Sequence, residues 1–323
     1  MPRSPTFASL VLRSTLVACL APLAWPAAAV TLHGGDVFVL AREATTTPGV
    51  LLHVNVASGT IDTLVPHPPL VAPRDLTVRS DGTILVADAT LGLVGIDPGS
   101  GEASVLAAPA DLGGSGPTTL AFAAVGDLLL AGPWGVSRIA AGQAAPIPLS
   151  PAGLLVDPTS IVDDGAGGAY LTDDTNAFPV GGFVLHVTGA GTQSYLDGPC
   201  NGCPFPILPL IVRRGPDGFL YVVSAPYSGP SNYLNAGIYR LDPGTGDATR
   251  WRVEPFVRGF VFTPGGDTWV LAGEDISRDP FGGILGGPGG TFWTGARGPI
   301  ALVPDRVTPV RARSWGTLKT LYR

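Results

Sequence analysis

Residues 73–106 read PRDLTVRSDGTILVADATLGLVGIDPGSGEASVL, and this stretch decides the fold. Asp75–Arg79 alternates polar and apolar residues, which predicts a half-buried strand. Thr83–Ala87 predicts a second, more apolar strand, Gly92–Ile96 a third and Glu102–Leu106 a fourth, with a turn or short loop between each pair. Four antiparallel strands cannot bury both faces alone, so the unit predicts an assembly of several stacked units.

The same succession of strands and turns recurs along the chain at intervals of roughly 35 to 50 residues. Six such units fill the chain between Val30 and about Asp305. The predicted fold class is therefore all-β, a β-propeller of six four-stranded blades, with five or seven blades as alternatives. In this count Pro299–Val303 belongs to the sixth unit. The strand that closes the ring is expected from Val30–His33 or from the segment after Asp305.

The first 29 residues have the features of a secretory signal peptide. Arg3 and Arg13 precede an apolar run, and Ala27-Ala28-Ala29 offers a small-x-small cleavage site before Val30. The expected location is secreted or periplasmic after cleavage near Ala29. Leu16-Val17-Ala18-Cys19 resembles a bacterial lipobox, so a lipoprotein anchored through Cys19 is the alternative. We assign 1–29 to the signal, 30–305 to the propeller and 306–323 to a basic C-terminal segment, either a closing strand or a tail.

Charge argues against two classes of partner. Loss of the two signal-peptide arginines leaves 17 basic against 25 acidic residues, a net charge of −8. This balance gives no support for binding to nucleic acid or to an anionic membrane surface. No later stretch is long and apolar enough to predict a membrane span.

The repeat pattern Pro-x-x-Leu-x-Val, then Asp-Gly-x-Ile/Leu-x-Val-Ala-Asp, then Gly-Leu-Val-x-Ile-Asp-Pro resembles one broad superfamily. Pro73–Leu106 and Pro209–Trp251 carry it best. It is similar to the NHL-repeat, regucalcin/gluconolactonase-like and streptogramin-lyase-like β-propellers. The resemblance implies a propeller fold, and it implies lactonases, lyases or interaction scaffolds as functions, because these folds host several activities.

Two ligand sets implied by the resemblance are not found at matching positions. Regucalcin-like lactonases hold a divalent metal with a Glu, an Asn and an Asp from separate blades. Here the early Glu-Gly-Pro signature is missing, and Glu43 lies past the first strand of unit one. Streptogramin-type lyases use a His and Glu pair with magnesium, whereas His186 lies in the middle of a third strand. No catalytic set is therefore identified.

The two faces of the predicted propeller differ. Turns joining strands one to two and three to four lie on one face, which we call the short-turn face. Loops joining strands two to three, and one blade to the next, lie on the other, the loop-rich face. The long segments 173–181, 197–207, 224–236 and 273–298 all fall on the loop-rich face. Long loops on a rigid scaffold are where binding sites are usually built.

We therefore predict a binding site on the loop-rich face around the central channel. The residues expected there begin inner strands, follow second strands or lie in long loops. They are Arg74, Asp75, Asp88, Trp134, Asp173, Asp174, Tyr227, Tyr233, Arg258, Glu274 and Asp275, with Thr118, Thr119, Thr159 and Ser160 at the channel rim. The aromatic members either stack on a sugar or peptide or cap glycine-rich loops.

Cys200 and Cys203 are the cysteine pair that remains after signal cleavage, and export favours a short-loop disulfide between them. Pro204 stands where a c-type haem motif needs histidine. The four histidines show no spacing typical of zinc ligands.

No cofactor is predicted outright. Asp173 and Asp174 supply oxygen ligands that suit calcium, with solvated loop acids as the alternative. The sequence favours an exported binding or scaffold propeller, whose partner is an extracytoplasmic protein, peptide or small molecule. The alternative is a metal-dependent, lactonase-like hydrolase or lyase with an acidic site at the channel mouth.

Overall fold

The structure is a computed structural model that describes a large part of the chain. The described residues are 30–41, 49–143, 145–174, 182–197, 208–224, 236–253, 256–264, 266–272, 275–279, 291–293 and 299–304, with backbone alone at 197, 275–279 and 291–293. Regular structure in them is β-strand apart from one 3₁₀ turn, Pro109–Leu112. Among these residues no helix has the length and apolar character needed to cross a membrane.

The strands are short, mostly of four to six residues. Those of the first half are β1 (Val37–Ala41), β2 (Val50–Val54), β3 (Ile61–Leu64), β4 (Pro73–Val78), β5 (Ile84–Asp88), β6 (Gly92–Ile96), β7 (Ala103–Ala107), β8 (Thr119–Phe122), β9 (Leu128–Gly132), β10 (Gly135–Ile139) and β11 (Ile147–Pro151). Those of the second half are β12 (Pro158–Asp163), β13 (Ala169–Asp173), β14 (Phe183–Val187), β15 (Gln193–Asp197), β16 (Pro209–Arg214), β17 (Leu220–Ser224), β18 (Gly237–Leu241), β19 (Ala248–Arg252), β20 (Val257–Phe262), β21 (Thr268–Ala272), β22 (Asp275–Asp279), β23 (Thr291–Trp293) and β24 (Ile300–Leu302).

Within the described residues these strands form six four-stranded antiparallel sheets, which we call blades 1 to 6. Blades 2 to 6 each take four consecutive strands and begin with β4, β8, β12, β16 and β20. Blade 1 has the order β24-β1-β2-β3. The first strands of successive blades contact one another in a closed ring, in which β24 lies between β20 and β4. The arrangement is a β-propeller, and it confirms the predicted fold class.

The ring is closed by β24, which pairs with β1 through Phe38 opposite Ala301. Two expectations were wrong here. Pro299–Val303 was assigned to the sixth unit, and the closing strand was expected from Val30–His33 or from beyond Asp305. Blade 6 instead takes β22 and β23, which lie inside the segment 273–298 that was read as a long loop. The strand register explains the error, because the pairing partner of β24 lies at the other end of the chain.

The core consists of apolar clusters between neighbouring blades. Along β1, Phe38 and Leu40 pack towards blade 2, and Val37 and Val39 pack towards blade 6. Comparable clusters join blades 2 and 3, 3 and 4, 4 and 5, and 5 and 6. Successive side chains of a strand point to opposite faces, so a strand between two blades is buried on both sides. This packing explains why the central strands are apolar throughout.

A glycine begins the third strand of several blades because the fourth strand approaches closely. Gly92, Gly135 and Gly237 begin β6, β10 and β18 with φ of 98°, 124° and 147°. A Cβ at Gly92 would lie 2.1 Å from the carbonyl oxygen of Ala107 in β7. The glycine of the repeat pattern is therefore a packing requirement of the blade.

Candidate functional site

Hydroxyl groups predicted at the channel rim link neighbouring blades. Thr118 Oγ1 donates a hydrogen bond to the carbonyl oxygen of Pro158 in blade 4. Thr159 Oγ1 donates in the same way to the carbonyl oxygen of Pro209 in blade 5, at 3.5 Å. Both hydroxyls thereby satisfy acceptors at the start of the next inner strand. Their role in the structure is to join blades.

Asp75 lies inside the channel wall, with 4% of its surface exposed. Its Oδ2 accepts a hydrogen bond from Thr119 Oγ1 at 2.6 Å and from the Leu120 N–H at 3.2 Å, and its Oδ1 accepts one from the Leu76 N–H. Burial raises the pKa of Asp75, while the charge of Arg213 and these hydrogen bonds lower it. Asp75 therefore ties β4 to β8 from the interior.

Asp88, at the end of β5, is fully buried. Its Oδ2 accepts hydrogen bonds from the N–H groups of Val71 and Ala72, and its Oδ1 accepts them from Thr90 and Leu91, each at 2.9 Å. The first pair belongs to the connection entering blade 2, and the second to the loop leaving β5. One carboxylate thus holds two loops of the loop-rich face together.

Asp173, at the end of β13 in blade 4, holds one connection, the one that enters its own blade. It is fully buried and accepts hydrogen bonds from the N–H groups of Val156 and Asp157. Burial raises the pKa of Asp173; these two hydrogen bonds lower it, and the carboxylates of Asp157 and Asp174 raise it. Asp173 therefore supports the loop-rich face from beneath.

Arg74 and Asp157 lie at the loop-rich mouth of the channel and are exposed. They come from blade 2 and from the connection entering blade 4, so they approach the mouth from either side of blade 3. Burial raises the pKa of Asp157, the Asp174 carboxylate raises it further, and the Arg74 guanidinium lowers it. Arg258, which follows the first residue of β20, is also exposed. The mouth therefore presents charges of both signs.

Asp157 was missed by the sequence argument. The sequence feature that could have identified Asp157 is its position directly before Pro158, the proline that begins an inner strand.

Two other predicted residues lie where second and third strands meet, on the loop-rich face. Trp134 is half-buried, and its Nε1 donates a hydrogen bond to the Ser115 carbonyl oxygen at 3.0 Å. The backbone of Asp275 begins β22. Several predicted residues lie outside the described ones, and these are Cys19, Cys200, Cys203, Tyr227, Tyr233 and Glu274. The disulfide and the aromatic contacts therefore stay predictions.

The side chains of the described residues contain no group of three or more His, Cys, Asp or Glu placed to hold a metal ion. The carboxylate of Asp173, named as a calcium ligand, is engaged by backbone N–H donors. A metal site built on this part of the mouth would depend on Asp157 and Asp174, with further ligands from elsewhere.

A cavity of about 790 Å³ opens at the other end of the channel, on the short-turn face. The ends of the inner strands and the turns that follow them line it. Arg213, on β16, reaches into its wall. Arg213 was not among the residues predicted from the sequence. Its signal was an arginine where the inner strands of other blades carry Thr77, Ala121, Val162, Val261 or Leu302.

Comparison with known proteins identifies the fold. No family model matches the chain, and no curated protein shows a match to it. A chain of the nidogen/laminin complex matches with a TM-score of 0.64 and 14% identity, over 84% of this chain and 100% of that one. Regucalcin from Agrobacterium tumefaciens, titled a calcium-binding protein, matches with a TM-score of 0.54 and 17% identity, over 78% and 88%.

A gluconolactonase from Xanthomonas campestris matches with a TM-score of 0.53 and 15% identity, over 85% of this chain and 90% of that one. At such identities the likeness establishes the fold alone. This chain shares the β-propeller fold of binding propellers and of lactonase-type enzymes, as the repeat pattern predicted.

Proposed function

We propose that this protein is an exported binding propeller whose ligand docks over the channel mouth on the loop-rich face. One contrast carries the proposal. Asp75, Asp88 and Asp173 are buried and bonded to the propeller itself. The side chains of Arg74 and Asp157 are exposed and make no hydrogen bond or ion pair with the rest of the described chain.

Two exposed charges of opposite sign, without a hydrogen-bond or ion-pair partner in the described chain, favour a ligand that carries both acidic and basic groups. A peptide or protein segment is such a ligand. Exposed charges cost little to leave in water, and their pairing is worth more once a ligand excludes that water. We therefore propose that the partner is an extracytoplasmic peptide or protein that places an acid near Arg74 and a base near Asp157.

The test uses random 12-residue peptides displayed on phage and selected against the full mature chain. Selected peptides are expected to lose at least about tenfold in affinity to Arg74→Gln or Asp157→Asn, since a hydrogen bond to a charged group contributes roughly 1.5–3 kcal/mol. Biolayer interferometry measures the affinities.

The matched controls are Arg214→Gln and Glu102→Gln, which remove exposed charges on the short-turn side. They should leave peptide affinity unchanged. Peptides that bind all four variants as tightly as the unaltered chain would contradict the proposed site.

The second function is a metal-dependent hydrolase or lyase, and one observation favours it. The Asp174 carboxylate raises the pKa of Asp157, and the carboxylates of Asp157 and Asp174 both raise the pKa of Asp173. Metal analysis of the purified chain separates the two functions. A stoichiometric divalent ion that is lost in Asp157→Asn and kept in Glu102→Gln would support the enzyme and count against a pure binding role.

Export is the remaining part of the proposal, with a mature chain that begins at Val30. Val30 is buried, and its backbone nitrogen donates a hydrogen bond to the Pro98 carbonyl oxygen at 3.1 Å. An α-amino group produced by cleavage before Val30 can still donate this bond, so cleavage there is compatible with the fold.

We expect N-terminal sequencing of the exported chain to begin at Val30. Ala29→Arg should accumulate uncleaved precursor, because it removes the small residue at the cleavage site. Cys19→Ala should have no effect. A lipid-modified N-terminus at Cys19, abolished by Cys19→Ala, would instead identify a lipoprotein.

A further inference from the structure

The short-turn cavity has the size and lining of a small-molecule site. Its volume of about 790 Å³ falls within the range of ligand pockets. Its walls are mainly apolar, and they include Leu76, Val78, Leu120, Ile161, Phe262 and Leu302. It lies at the opposite end of the channel from the proposed peptide site and is independent of it.

The charged groups that line this cavity are predominantly positive. Among the described residues, Arg79, Arg213 and Arg214 line it, and Asp81 is the one carboxylate in that lining. Arg79 forms an ion pair with Asp81 and also donates a hydrogen bond to Thr83 Oγ1. Arg213 and Arg214 form no ion pair within 4 Å in the described part of the chain. The cavity thus holds two positive charges without an ion-pair partner, and the buried Asp75 carboxylate acts on Arg213 from a longer distance.

Arg213 is partly buried in the channel wall. Its Nη1 donates hydrogen bonds to Ser160 Oγ and to the Val212 carbonyl oxygen, both at 2.8 Å. Its Nε and Nη2 make no hydrogen bond with the described residues. These two nitrogens form one edge of the guanidinium, and such an edge matches the two oxygens of a carboxylate.

We propose that this cavity binds a small amphipathic monocarboxylate. The carboxylate accepts two hydrogen bonds from the Nε and Nη2 edge of Arg213, and the apolar body packs against the cavity walls. Arg214, exposed at the rim, adds positive charge at the entrance. A bidentate arginine inside an apolar cavity favours a carboxylate with a hydrocarbon body over a fully hydrated inorganic anion.

A purely structural role for Arg213 is the competing explanation, because its charge lowers the pKa of the buried Asp75 carboxyl. Replacing Arg213 alone leaves Asp75 buried without this cation and risks unfolding. The double variant Asp75→Asn/Arg213→Met removes both charges together, so it tests ligand binding without an orphaned carboxylate.

The experiment is calorimetric titration of the mature chain with octanoate, 1-octanol and octylammonium, which share one apolar body and differ in charge, and with benzoate. We expect octanoate or benzoate to bind and the other two to bind at least tenfold more weakly. Comparison of octanoate with benzoate shows whether the cavity prefers a flexible chain or a ring as the apolar part of the ligand. The double variant should bind the preferred carboxylate at least tenfold more weakly than the unaltered chain does. Arg213→Lys should keep part of that affinity.

Controls separate this site from the proposed peptide site. Arg74→Gln, on the opposite face, should bind octanoate as the unaltered chain does, and the double variant should bind selected peptides normally. A folded double variant that binds the carboxylates with unchanged affinity would overturn the proposal. Equal affinity for octanoate and octanol, or no binding of either carboxylate at millimolar concentration, would overturn it as well.

Discussion

Replacement of Asp88 by alanine is expected to lower the free energy of unfolding by about 4 kcal/mol. The change leaves the N–H groups of Val71, Ala72, Thr90 and Leu91 without their acceptor. Unsatisfied buried donors cost roughly 1–3 kcal/mol each, and water recovers part of that cost near the surface. Thermal unfolding followed by circular dichroism should show the midpoint falling by roughly 10 °C.

Asp97→Ala is the matched control, because Asp97 also accepts hydrogen bonds from two backbone N–H groups, those of Gly99 and Ser100. Asp97 is exposed, so water replaces its carboxylate, and the expected loss is about 1 kcal/mol. A midpoint for Asp88→Ala within about 2 °C of the unaltered chain would show that the carboxylate does not hold the two loops.

Truncation after Gly298 is expected to abolish cooperative unfolding. It removes Ile300 and Val303, which are 1% and 0% exposed, together with the ladder between β24 and β1. Burial of such side chains contributes roughly 1.5–3 kcal/mol each, and the ladder adds to this. The sum approaches the whole stability of a typical domain, roughly 5–15 kcal/mol. The unpaired edge of β1 also favours association between chains.

Truncation after Asp305 is the matched control, since it removes the basic segment 306–323 and keeps β24. Its melting midpoint and its elution in size-exclusion chromatography should remain those of the full chain. If the shorter truncation, after Gly298, melted cooperatively as a monomer, β24 would not be the strand that closes the ring.

The blade was predictable because its strands obey local rules. In residues 73–106 the expected strands lie within two residues of β4 to β7, since alternation, apolar content and turn glycines all fall inside one unit. The position of Gly92 at the start of β6 was likewise readable from the repeat. Each of these features depends on neighbours that are close in sequence.

Features that depend on distant partners were not predictable. In the sequence, Asp88 cannot be told from an ordinary acidic residue of a loop. Its carboxylate accepts hydrogen bonds from the N–H groups of Val71 and Ala72 only when the preceding connection folds over it. The sequence 299–303 looks like any inner strand, and only its pairing with β1 shows that it completes blade 1. Arg213 was not predicted as a site residue, because its place in a cavity appears only once the ring is assembled.

The pairing of β24 with β1 also sets an order in time. A chain that emerges from the ribosome amino-terminus first produces β1, β2 and β3 before any other described strand, and produces β24 last. Blade 1 therefore lacks its inner strand throughout synthesis. One edge of β1 remains unpaired until every other described strand has been made. Whatever shields that edge during synthesis does so for longer than for any other blade.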